Sequence, residues 1–96
     1  MSPEKKKKLD ILRLQLDKLD NKLLNIIKKR TFIVNKVLKL KDYKNQIVDK
    51  KRINEILKGI KKKSIKNKID PKITNTIWKN MIKSYIDFER RNFKGK

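Results

Sequence analysis

Ninety-six residues allow one domain at most, and 36% hydrophobic against 42% charged residues is lean for a core that must stand alone. The formal net charge is +20, and the chain has neither cysteine nor histidine. Disulfides, thiolate chemistry, the usual general base and the commonest metal ligand are therefore excluded.

Ser2-Pro3-Glu4 opens the first predicted helix with a hydroxyl cap, proline at the first helical position and an acid in the first turn. No further glycine or proline occurs until Gly59. Leu9, Leu12, Leu16, Leu19, Leu23, Ile26, Arg30, Ile33, Val37 and Leu40 follow one another at alternating steps of three and four. That heptad seam predicts one helix over about 3–42, too long for a 96-residue globule, which must pair with another chain. Arg30 interrupts the apolar seam, with no acid three or four residues away on either side. It reads either as a polar residue fixing register or as a buried cation awaiting an anionic ligand.

Residues 42–48 lose the seam and read as a loop. Asp49 caps a second helix over about 50–64, with Ile53, Ile56, Leu57 and Ile60 on one face. Asp70-Pro71 starts a third over about 71–93, with Ile73, Ile77, Met81 and Ile86 expected in the core. A second stripe on this helix joins Trp78, Ile82, Tyr85 and Glu89, where the plain expectation is packing, with Glu89 paired to a lysine. Residues 90–96 read as a frayed basic end. Strand alternation and hairpin dipeptides are absent, so the chain is expected to be all-α, a single domain over 1–96.

The charge reads chiefly as drift toward Lys, Asn and Ile, 25, 9 and 14 of them, because the lysines are scattered and form no stripe. Polyanion affinity at low salt would follow as a side effect. No apolar run approaches the ~20 residues that span a bilayer. The N-terminus lacks the apolar stretch of a signal peptide, so the expected location is the cytoplasm. The ten acids are spread too thinly for a metal site, and two glycines make no phosphate loop. What survives is either a basic helical module that binds polyanions, or an enzyme needing only cations and hydrogen bonds around a small anion. Only five residues are arginine, and Arg13, Arg30 and Arg52 lie within predicted helices, where a forked guanidinium suits a carboxylate. Arg30 and Lys41 are three helical turns apart, so they face the same side ~16 Å apart, where long side chains could close on a small dianion. Arg13, ~25 Å from Arg30 along the same helix, could join that pocket only from an antiparallel partner.

Residues 12–41, with the register LRxxLDxLDxxLLxxIxxR and a lysine eleven residues on, then VDKKR at 48–52 and IDPKITNTIWKNMIKSYIDFE at 69–89, resemble the AroQ-type chorismate mutases. The resemblance implies three helices in an intertwined, antiparallel, all-helical homodimer with two equivalent sites and no cofactor or metal. It implies the Claisen rearrangement of chorismate to prephenate, which feeds phenylalanine and tyrosine synthesis. By the same resemblance, Arg13 from the partner chain and Arg30 bind the carboxylates. Lys41 faces the ether oxygen, with a protonated Glu89 as its second donor, and Asp49 and Arg52 match the start of the second helix. Two positions depart from the mutase pattern. Ile53 stands where glutamate commonly accepts from the substrate hydroxyl, and Tyr85 stands where serine is common. At both, the chain is closer to the related isochorismate-pyruvate lyases, which form salicylate on the same fold; Asp49 is the mutase-like choice. The reading is therefore a mutase, with the lyase as its alternative, acting on a small dicarboxylate and binding neither membrane nor specific nucleic acid.

Overall fold

In the computed structural model, residues 1–95 are described, and Lys96 of the basic tail lies outside them. Three α-helices follow in order: α1 (Pro3–Lys39), α2 (Lys50–Lys66) and α3 (Pro71–Asn92). A single 3₁₀ turn, Lys44–Gln46, sits between α1 and α2. No strand occurs among the described residues, so the chain is all-α with a long first helix. By its contacts it divides into two compact units, Met1–Ile33 and a second from Val34 onward.

The first unit is helix almost throughout. Ser2 Oγ accepts from the Lys5 N–H at 3.2 Å, which meets one of the donors that a helix start leaves unpaired. Every leucine and isoleucine between residues 11 and 33 is exposed in the single chain, from 38% at Ile27 to 64% at Leu24.

Lys36 and Lys39 place positive charge in the last turn of α1, where the helix dipole favours it. The helix stops at Lys39, short of the expected 42, because the chain tightens there. The N–H groups of Leu40 and Lys41 reach back three residues, to the Val37 and Leu38 carbonyls, each at 3.1 Å. Lys41 thus stands just beyond the helix. Gln46 then folds the connection back: its Oε1 accepts from the Asp42 N–H at 2.7 Å and the Tyr43 N–H at 2.9 Å. Ile47, in the stretch expected to be plain loop, is 4% exposed and with Leu38 forms the buried apolar centre of the second unit.

Asp49 caps α2 through the Arg52 N–H at 3.0 Å, and Asp70 caps α3 through the Lys72 N–H at 2.9 Å with Pro71 at the first position. α2 runs to Lys66, two residues past the expected end, and α3 stops at Asn92, one residue before it. Between them the Lys68 N–H bonds the Ile65 carbonyl and the Ile69 N–H bonds the Ser64 carbonyl, a Schellman turn. Its left-handed position is taken by Lys68, φ 58°, where glycine is usual.

The Ser64 hydroxyl, 3% exposed, donates to the Ile60 carbonyl at 2.6 Å and lies 2.7 Å from the Thr74 hydroxyl, which is 9% exposed. The Thr74 hydroxyl also lies 3.4 Å from the Pro71 carbonyl, so each hydroxyl of this buried pair has partners within the protein. It pins the end of α2 to the start of α3 and sets which side of α3 turns inward. Trp78, Ile82 and Tyr85 are accordingly half-buried and Glu89 buried. Ile73 and Ile77, expected in the core, are 56% and 48% exposed, while Met81 and Ile86 are half-buried. The basic end is likewise no frayed tail over its described part. Arg90 and Arg91 belong to α3, Phe93 is half-buried, and Gly95 packs against the connection after α1.

Candidate active site

Lys41 and Glu89 come from segments 48 residues apart and meet at 3.0 Å, the ammonium donating to Glu89 Oε1. Their side chains are 19% and 8% exposed. Each is delivered by a distinct local device. Lys41 follows the tightened end of α1 and precedes the Gln46-pinned turn. Glu89 lies four turns beyond the Ser64–Thr74 pin, on the inward side of α3. A buried carboxylate left alone is costly, and an ammonium at hydrogen-bond distance offsets that cost. Lys41 also lines an open cleft of about 860 Å³ with Asn35, Lys39, Asp42, Tyr43, Asn92 and Lys94. The cleft is within the size range of small-molecule sites, and donors outnumber acceptors among these side chains.

The other sequence candidates lie on α1, α2 and α3. Asp49 and Arg52 stand together at the start of α2, joined by the capping bond. The Arg52 guanidinium is exposed and pairs with Glu55 one turn on at 3.7 Å, so the Glu55 carboxylate is engaged by its own helix neighbour. Ile53 is half-buried on the apolar face of α2. Tyr85 is half-buried one turn before Glu89, its ring set edge-on to Phe88 with centroids 6.5 Å apart. Arg13 and Arg30 belong to the first unit, Arg13 exposed and Arg30 half-buried. Sequence reasoning missed the Ser64–Thr74 pair, although Ser64 continues the Ile53, Ile56, Leu57, Ile60 face and Thr74 lies one turn before Trp78.

Over its described residues the chain is helical, and it sets a lysine against a buried carboxylate beside a donor-rich cleft, an arrangement able to hold a small anion. The chain belongs to the chorismate mutase type II family, whose model matches residues 12–90. No curated protein and no solved structure gives a significant match.

Proposed function

We propose that the chain is a chorismate mutase that rearranges chorismate to prephenate in aromatic amino-acid synthesis. The observation that carries this reading, beside the family, is the Lys41–Glu89 pair: the cation and acid assigned to the reacting ether oxygen lie 3.0 Å apart and largely buried. The reaction is pericyclic: one C–O bond breaks as one C–C bond forms, with no proton transfer and no covalent intermediate. A chain without histidine or cysteine is equipped for it. What the site must supply is a folded, near-attack substrate and a donor aimed at the oxygen where negative charge grows. Lys41 is that donor, and Glu89, which accepts from its ammonium, holds it in place. Arg30 and the partner's Arg13 hold the two carboxylates, and Asp49 and Arg52 line the substrate from α2.

The reading requires a homodimer, intertwined and antiparallel, because Arg13 serves the site of the other chain. The exposed leucine and isoleucine seam of α1 supports it. Burying one such side chain fully is worth about 1.5–3 kcal/mol, and a single chain with two buried apolar residues among those described leaves most of that unused.

Ile53 and Tyr85 favour a second reading, isochorismate-pyruvate lyase: Ile53 gives the substrate hydroxyl no carboxylate acceptor, and Tyr85 stands where a mutase commonly carries serine. The two separate in one experiment, purified protein with chorismate or isochorismate. Prephenate from chorismate is expected. Salicylate and pyruvate from isochorismate, with chorismate untouched, would replace the mutase by the lyase. Arg30→Ala should lower turnover by at least about 100-fold with helicity unchanged. If the chain is instead a polyanion-binding module, turnover is absent and binding falls steeply with salt.

A further inference from the structure

The segment after α3 is placed with more care than a basic tail requires. A Cβ added at Gly95 would stand 2.7 Å from the Asp42 carbonyl oxygen and 2.5 and 2.9 Å from two atoms of the Phe93 ring. The φ of Gly95 is not in the left-handed region, so its backbone would accept any residue. Space alone reserves the position for glycine, and the atom that cannot move aside cheaply is a backbone carbonyl. That carbonyl belongs to the residue next to Lys41. The other end of the same residue is also held, since the Asp42 N–H donates to Gln46 Oε1 at 2.7 Å. Asp42 thus has its amide held by Gln46 and its carbonyl closely approached by Gly95. The Phe93 ring lies over the contact, and Lys94 and Gly95 complete the wall of the cleft that Lys41 lines. α3 and the segment after it therefore meet the connection at two points, Glu89 at the Lys41 ammonium and Gly95 close against the Asp42 carbonyl.

We propose that residues 93–95 are a strap that positions Lys41, with Gly95 as the positioning residue. The catalytic part of this inference rests on the mutase reading; the strap itself does not. Lys41 has a long, flexible side chain, and its ammonium is aimed only as well as its backbone is anchored. An alanine at position 95 pushes the Asp42 carbonyl, and a displacement near 1 Å at a catalytic group is enough to lower turnover by as much as 100-fold.

The test compares wild type with Gly95→Ala by amide hydrogen exchange and by steady-state kinetics on chorismate. Exchange at the Asp42 and Tyr43 amides should quicken, with the thermal midpoint little changed. The kcat should fall about 10- to 100-fold while KM stays within about threefold, because the lost interaction is made in the transition state. In a Lys41→Met background the same substitution should lower the residual rate no further, a non-additivity that general loosening would not give. Unchanged exchange at Asp42 and Tyr43 overturns the strap. Faster exchange with kcat unchanged overturns its role in positioning. Should the wild type turn over neither chorismate nor isochorismate, the mutase reading fails, and the exchange result alone then decides whether the strap holds the connection.

Discussion

At the scale of single residues, the buried Ser64, Thr74 and Glu89 serve two junctions, Ser64 with Thr74 and Glu89 with the half-buried Lys41. The second is poor evidence for stability in itself. Bringing an ammonium and a carboxylate out of water costs several kcal/mol per ion, which their attraction only roughly offsets. Removing one partner is different, because the other charge stays behind. Lys41→Met should destabilise the protein by about 3 kcal/mol, at the lower edge of the range for buried pairs since Lys41 keeps some exposure. Lys41→Met with Glu89→Leu should recover most of that loss, seen as a urea midpoint returning toward wild type with an unchanged slope. Equal midpoints for the single and double variants would mean that the stranded carboxylate is not what destabilises. The sequence made this pair legible in part: the second stripe of α3 put Glu89 beside the packing residues and a lysine was its expected partner. Which of 25 lysines would meet it was not written in any periodicity; it followed from the family resemblance.

At the scale of elements, the helix starts were the most legible features. Ser2, Asp49 and Asp70 each accept the capping bond their position implied, because a cap is decided within four residues of chain. The inward face of α3 was not legible, since two apolar stripes compete there and period alone cannot choose. The choice was made by Thr74, whose hydroxyl had to meet Ser64, and Ile73 and Ile77 were left at the flank. The Schellman turn after α2 was equally hidden, with lysine where glycine would advertise it. Two substitutions follow. Lys68→Gly should relieve the left-handed strain and, after the entropy glycine adds to the unfolded chain, stabilise by about 0.5 kcal/mol. Gly59, inside α2 with nothing within 4 Å of an added Cβ, should gain about 0.5–1 kcal/mol as Gly59→Ala. Both are read as raised thermal midpoints; a lowered midpoint for Gly59→Ala would mean that another chain approaches α2 at that point.

At the scale of the whole molecule, charge and apolar surface pull in opposite directions. A net +20 favours keeping copies apart, while the α1 seam calls for a second helix. In the proposed dimer the seam prevails, and added salt should tighten association by screening the repulsion. Leu19→Lys, in the middle of the seam and 57% exposed in the single chain, should abolish the dimer in sedimentation or light scattering. Turnover should go with it, since Arg13 then serves no site. An active monomer in that variant would separate the mutase reading from the dimer. The long seam was the plainest statement in the sequence, and it remains the feature with most left to bury.

The four-residue link between α2 and α3 also sets an order of events. A hairpin closed by neighbours in sequence, with caps on both helices, needs no distant encounter and should form within microseconds to milliseconds. Joining two seams is a bimolecular collision. Refolding from denaturant should therefore resolve into two phases. A fast, unimolecular return of helical signal is expected first. Turnover should follow in a slower phase whose rate rises in proportion to protein concentration.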